Sequence, residues 1–174
     1  GKSSLMNMMI NSKISITSPK PQTTRNRING ILTEGNTQLV FIDTPGTHKP
    51  FNKLSEYMNT EIENSFSGIE VCLHVIDVME KAPDLKLIDK FKRYNLKVIL
   101  VINKIDLLKD KSSIIKIMDK YNNLFHYEAI IPISAVTCYG KIDLLNQLMS
   151  MAEPSVFYFD PEDITNQTER MLVS

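Results

Sequence analysis

Two uninterrupted apolar runs, VCLHVID at 71–77 and KVILVIN at 97–103, constrain this chain more than any other feature in it. Neither alternates polar with apolar residues, so each reads as a strand buried on both faces, the habit of a parallel sheet covered by helices. Parallel strands need a long crossover between them. The intervening segment supplies one, with Leu85, Ile88 and Phe91 at helical spacing behind Pro83 and Asp84. The expected class is therefore α/β, a mostly parallel sheet with helices on both faces.

The remaining segments extend this pattern. Ser4 to Ile10 puts Leu5, Met6, Met9 and Ile10 on one helical face. INGILTEGNTQLVFID reads as two strands turning at Glu34-Gly35-Asn36, a hairpin that places one antiparallel strand beside the parallel ones. Leu54, Met58, Ile62 and Phe66 mark a helix within 52–66, and Ile114, Ile117, Met118 and Tyr121 mark another. Counting a strand expected ahead of residue 1 as the first, AIIPIS is a sixth strand-like run, and a last helix carries Leu144, Leu145, Leu148 and Met149 before Pro154. From residue 154 onward the periodicity fades into what reads as a linker.

Composition narrows the partners. Lys+Arg and Asp+Glu both number 20, so no net field points to nucleic acid or membrane, and any RNA contact must come from a local patch or from elsewhere. The longest apolar runs are far too short to cross a bilayer. Cys72 and Cys138 lie far apart without companion ligands, which suits incidental or buried thiols in a reducing compartment.

Open α/β sheets bind ligands beyond the carboxyl ends of their strands, so strand ends carry the chemistry. The third run ends in FIDTPG. Asp43 there can hold magnesium through water, and the Gly46 amide can reach a terminal phosphate past Thr44 and Pro45. The fifth run ends in Asn103-Lys104-Ile105-Asp106. The Asp106 carboxylate suits guanine, accepting from N1–H and the exocyclic N2 amine, whereas adenine offers an acceptor at N1 and no amine at C2. Asn103 would orient the loop and base edge, and the Lys104 stem would cover the purine face. The sixth run ends with Ser134, placed to brace that loop, and Ala135, whose amide suits guanine O6.

Two further stretches complete the set. PKPQTTRNR at 19–27 reads as a loop bearing hydroxyls and cations; a hydroxyl such as that of Thr24, ordered onto magnesium and released after hydrolysis, is how nucleotide switches work. The opening Gly1-Lys2-Ser3-Ser4 contains the closing triplet of the phosphate-loop pattern G-x-x-x-x-G-K-[ST], a weak signal alone. Each of these motifs has an ordinary structural reading as a turn, a solvated strand end or an exposed loop. Their occurrence in order, each at a strand end or in the matching loop, sets those readings aside. Lys2 would then meet the β- and γ-phosphates, and Ser3, Thr24 and Asp43 would surround magnesium.

With these residues in place, the chain resembles the Era-like family of translation-factor-class GTPases. The specific match lies in KISITSPKPQTTRNRINGILTEG, FIDTPGTHKP and FDPEDITNQTER. The resemblance implies a Ras-like P-loop fold with a six-stranded sheet, GTP and GDP as ligands, and Mg2+. It implies Mg-dependent hydrolysis of GTP to GDP and phosphate, with Lys2, Thr24 and Gly46 as the catalytic groups. Thr47 stands where Ras-type enzymes carry a water-orienting glutamine, so slow intrinsic turnover is expected. Residues 1–153 would be a GTPase domain whose first strand is missing, and 154–174 a linker opening a KH-type RNA-binding domain. A domain without that central strand should unfold with poor cooperativity and bind nucleotide weakly.

The implied role is a switch in small ribosomal subunit assembly, acting on ribosomal RNA and the 30S-type subunit as a monomer. The implied location is the cytoplasm, with peripheral contact at the inner face of the cell membrane. Two alternatives stay open: another ribosome-assembly or tRNA-modification GTPase of the same class, and a docking protein that binds GTP without turnover. A P-loop kinase is disfavoured, since a guanine-selecting loop serves no purpose there. Of the remaining residues, His74 reads as a core histidine, His48 as an exposed loop residue, and Lys90, Lys92 and Arg93 as a solvated helix face.

Overall fold

The computed structural model describes residues 2–10, 28–42, 69–80, 82–110 and 112–154. In chain order the elements are α1 (Lys2–Ile10), β1 (Ile28–Glu34), β2 (Thr37–Ile42), β3 (Cys72–Asp77), α2 (Leu85–Arg93) and β4 (Val98–Asn103). A 3-10 turn (Ile105–Leu107), α3 (Ser112–Asn122), β5 (Ala129–Pro132) and α4 (Lys141–Ser150) follow. Five strands are described, in two sheets: an antiparallel pair β1-β2 and a parallel trio ordered β3-β4-β5. They belong to separate compact units, α1 lying in the unit that holds the parallel trio. The helix expected within 52–66, the loop at 19–27 and the segment 155–174 lie outside the described residues.

The hairpin forms where the sequence places it. Glu34 pairs with Thr37 across a two-residue turn, and Gly35 adopts φ +57, the left-handed backbone such tight connections require. Ile31, Leu32 and Phe41 are buried, and Gln38 Nε2 donates to Thr33 Oγ1 across the pair. The register shifts between Ile28 and Gly30.

In the other unit, β4 is the middle strand and all six of its residues are buried. β3 departs from the expected burial on both faces: only His74 and Ile76 are buried in it, two residues apart and so on one face. That face meets the crossover helices. The His74 ring lies edge-on to Phe91 of α2 at 5.2 Å and to Tyr121 of α3 at 5.8 Å, and Phe125 and Tyr127 complete the cluster. His74 Nδ1 hydrogen-bonds with the Tyr127 hydroxyl at 3.0 Å, so it is the satisfied core histidine its position implied.

The helices bury only part of the stripes their sequences carry; α3 buries Tyr121 while Ile114, Ile117 and Met118 are half-buried. α2 is capped by Asp84, whose side chain accepts from the Leu87 N–H, and it buries Ile88 and Phe91 while Leu85 is exposed. α1 buries Leu5, Met8 and Met9, so Met8 takes the core position expected for Met6, which is half-buried. The i, i+3, i+4 spacing of that trio is an ordinary helical stripe. α4 buries Leu144 and Leu148. Cys72 and Cys138 are both free; Cys72 is half-buried and desolvation of its thiol pushes it up to about 12, while Cys138 is exposed.

Candidate nucleotide-base site

The parallel register sets the site. Asp77 pairs with Asn103 and Ile102 with Pro132, so the carboxyl ends of all three strands stand side by side. The loops leaving β4 and β5 are then tied to one another. Ile133 N–H donates to the Ile102 carbonyl at 2.8 Å, and Ile105 N–H donates to the Ile133 carbonyl at 3.2 Å.

Asn103 is the centre of this arrangement. It closes the fully buried strand and is itself 1% exposed. Its Oδ1 accepts from the Lys104 N–H at 2.7 Å and from the Ala135 N–H at 3.1 Å, joining the two loops through one side chain. Two N–H donors on one side identify that atom as the oxygen, so the opposite atom is the amide nitrogen. Among the described residues, Asn103 Nδ2 is buried with no hydrogen-bond partner. An unmet buried donor costs about 1–3 kcal/mol, and a ligand acceptor placed there would recover it.

Beyond Asn103 the chain turns sharply. Lys104 adopts φ 66, ψ 33, a left-handed conformation rare for a side-chain-bearing residue, and the 3-10 turn follows, with Leu107 N–H donating to the Lys104 carbonyl. The turn presents Asp106 at the surface. Ser134 Oγ, 1% exposed as a residue, donates to Asp106 Oδ1 at 2.5 Å and accepts from the Thr137 N–H at 3.2 Å. One carboxylate oxygen is thereby held while the other stays open to a ligand. The Ala135 amide, expected to donate to guanine O6, donates to Asn103 Oδ1 in this structure.

The loop after β5 is closed by Tyr139 and Gly140. Ser134 N–H donates to the Tyr139 carbonyl, and Gly140 sits at φ +74, where an added Cβ would lie 2.4 Å from the Pro132 carbonyl oxygen. Asp77 joins from the neighbouring strand: its Oδ2 meets Lys104 Nζ at 2.5 Å. Burial, which alone would raise the Asp77 carboxyl, is outweighed by the Lys104 hydrogen bond, the Met79 amide and the Lys104 charge, so it titrates below the usual range. Sequence reasoning passed over Asp77 and Gly140. The rule that singled out Asp43 and Asn103, a polar residue ending an apolar run, applies equally to Asp77.

The structure thus brings together Asn103, Lys104, Asp106, Ser134 and Ala135. Of the residues expected at the phosphate end, Lys2 is half-buried and Ser4 exposed, both in the first turn of α1. Gly1, the Ser3 side chain, Thr24, Asp43, Thr44, Pro45 and Gly46 lie outside the described residues.

The parallel sheet with its crossover helices is a P-loop GTPase fold, matched by the crystal structure of a single-residue variant of Aquifex aeolicus Era bound to GDP·AlF4−, with TM-score 0.75 and 31% identity over 92% of this chain and 56% of that one. The elongation factor SelB of Methanococcus maripaludis shares the fold at TM-score 0.63 and 22% identity, over 89% of this chain and 32% of its own. The family described as 50S ribosome-binding GTPase matches residues 1–104, and the chain belongs to that family. Among its curated homologues, GTPase Era of Clostridium botulinum (strain Okra) is 44% identical, and GTPase Era of Clostridioides difficile 39%, each over the whole of this chain. The chain spans 59% of the length of these relatives.

Proposed function

We propose that the chain is the nucleotide-binding part of an Era-type GTPase, a slow Mg-dependent switch that converts GTP to GDP and phosphate. The observation that carries this is the pairing of a buried Asn103 Nδ2, unpartnered among the described residues, with a Ser134-braced Asp106 carboxylate. One offers a donor to purine N7, and the other accepts from the N1–H and N2 amine that guanine alone presents. Guanine O6 would compete with Asn103 Oδ1 for the Ala135 amide. The Aquifex relative's complex with a guanine nucleotide supports the same ligand class.

On this reading Lys2 meets the β- and γ-phosphates together with Gly1, Ser3 and Ser4, and Lys2 opens α1, where helix-end amides favour anions. Ser3, Thr24 and Asp43 would hold Mg2+, which neutralises phosphate charge when bound. Thr44, Pro45 and Gly46 would present the Gly46 amide to the terminal phosphate. Residues 1–153 act as the GTPase domain and 154–174 as a linker and the start of a KH-type RNA-binding module.

The partners are small-subunit ribosomal RNA and the 30S-type subunit. The family description names the 50S particle instead, and the small-subunit reading rests on the likeness to Era. The protein works as a monomer in the cytoplasm, with peripheral contact at the membrane. Among the described residues no helix is long and apolar enough to cross a membrane.

The test is a base swap. Asp106→Asn replaces an acceptor by an amide that suits the C2 carbonyl of xanthine, so guanine nucleotide affinity should fall by a factor of ~10² or more and xanthine nucleotides should gain. A variant that still prefers GDP over XDP overturns the base assignment. Multiple-turnover phosphate release from GTP checks hydrolysis; none above background with GTP bound leaves only a docking protein.

A further inference from the structure

The ion pair at the end of β3 has no part in the base contacts described above, yet the geometry ties it to them. Asp77 lies opposite Asn103 in the parallel register, and the next residue, Val78, donates its N–H to the Asn103 carbonyl at 3.1 Å. Asp77 Oδ2 meets Lys104 Nζ at 2.5 Å, while Asp77 Oδ1 accepts from the Met79 N–H at 3.0 Å. The Asp77 carbonyl accepts from Glu80 N–H at 2.8 Å, closing a turn around the carboxylate. The end of β3 is therefore fastened to the base loop twice, through the backbone at Asn103 and through the side chain at Lys104. The carboxylate is itself held by a backbone amide, so it is an oriented anchor and not a freely rotating charge.

Its target is the residue that most needs holding. Lys104 has a left-handed backbone, a conformation that persists only where surrounding structure fixes it. A four-carbon stem of this length also carries much rotamer freedom unless its end is tethered. We propose that Asp77 is a positioning residue of the guanine site: by holding the Lys104 ammonium across the tops of β3 and β4, it keeps the lysine stem in place as a wall for the bound purine. This rests on the guanine reading above and adds to it a residue that does not touch the nucleotide. The consequence is kinetic. Loss of the anchor should leave guanine preferred over adenine, because Asp106 is untouched, and should shorten the lifetime of the bound nucleotide.

The experiment follows dissociation of a fluorescent GDP analogue in wild type, Asp77→Asn, Lys104→Met and the double variant. Asn at 77 keeps the shape and an acceptor for Met79 N–H but removes the charge, so the turn is preserved. A half-exposed pair is a weak contact, so Asp77→Asn should speed release about two- to fivefold. In the Lys104→Met background the same change should have no further effect. An unchanged rate in Asp77→Asn, or the same factor with and without Lys104, overturns the proposal, since an effect through the β3 turn alone would survive loss of the lysine. A second measurement needs no variant at Asp77: added KCl screens a pair this exposed, so release should depend more steeply on salt in wild type than in Lys104→Met. Equal salt slopes overturn it as well. Wild type that binds the GDP analogue no better than the matching ADP analogue overturns the guanine reading itself, an outcome distinct from additive variants in a chain that prefers GDP.

Discussion

Acid should weaken this protein through His74, and the size of the effect can be worked from its surroundings. The ring is 6% exposed, packed among Phe91, Tyr121 and Tyr127, and burial pulls its pKa from 6.5 to about 4, partly offset by the Asp84 charge. In the unfolded chain the imidazole titrates near its ordinary value. Between those two values the unfolded state therefore binds more protons than the folded one. Stability is complete above pH 6.5 and falls as the pH drops toward 4. The full gap of about 2.5 units at 1.36 kcal/mol per unit is about 3 kcal/mol, of which about 2 kcal/mol is lost between pH 7 and pH 5. That is a large share of the ~5–15 kcal/mol that holds a typical domain. The assay is urea unfolding at pH 7 and pH 5 for wild type and for His74→Asn, which keeps a polar atom near Nδ1 for the Tyr127 hydroxyl but cannot titrate. The variant will be less stable at both values because the smaller side chain leaves a gap. The quantity to read is the difference in pH dependence, which removes the carboxylates and other histidines common to both. Curves that run parallel within a few tenths of a kcal/mol refute the reasoning and mean that His74 binds its proton equally well in the folded and the unfolded chain.

Two further substitutions test how the base loop is held. Asn103→Ala leaves the Lys104 and Ala135 amides without their acceptor, so it should cost about 2–4 kcal/mol in thermal or urea unfolding and abolish measurable binding of a fluorescent GDP analogue. Gly140→Ala forces a Cβ to within 2.4 Å of the Pro132 carbonyl oxygen at a left-handed backbone, so it should destabilise by about 1–3 kcal/mol and weaken guanine nucleotide binding through the displaced Ser134 loop. Normal nucleotide affinity in Gly140→Ala would show that the loop absorbs the clash without moving Ser134.

The parts of the fold that could be read in advance are those where one local pattern determines the outcome. β4 announces itself because six consecutive apolar or strand-ending residues can be buried only in the middle of a sheet, and the polar Asn-Lys-Ile-Asp that follows has to face a ligand or water. The hairpin was equally plain, since Glu-Gly-Asn between two strand-like runs leaves a left-handed glycine as the natural turn residue. What failed depended on partners elsewhere in the chain. β3 looks as apolar as β4, and nothing within its own residues says that Leu73 and Val75 are only half-buried while His74 and Ile76 are buried. In α1 most residues are apolar, so Met6 and Met8 both fit a helical stripe, and packing alone selected Met8. The Ala135 amide finds Asn103 Oδ1 across 32 residues, a link that no spacing within either loop reveals.

The site also divides its labour in a way the residue types alone do not disclose. On the guanine reading, Asn103 Nδ2 would meet N7, which every purine carries, so its unmet bond adds affinity and no selectivity. Discrimination falls to Asp106, and that residue is exposed, where a single hydrogen bond to a charged group is weakened by competing water. The buried Ser134 hydroxyl answers this difficulty. It fixes one carboxylate oxygen, and through it the plane of the group, so the two acceptor directions are aligned before the base arrives. A ligand that cannot donate to both then forfeits the bonds without the carboxylate being able to turn away toward water. Selectivity in this loop is thus a property of how rigidly Asp106 is held, and the chain of contacts from β4 through Asn103, Ala135 and Ser134 is what holds it.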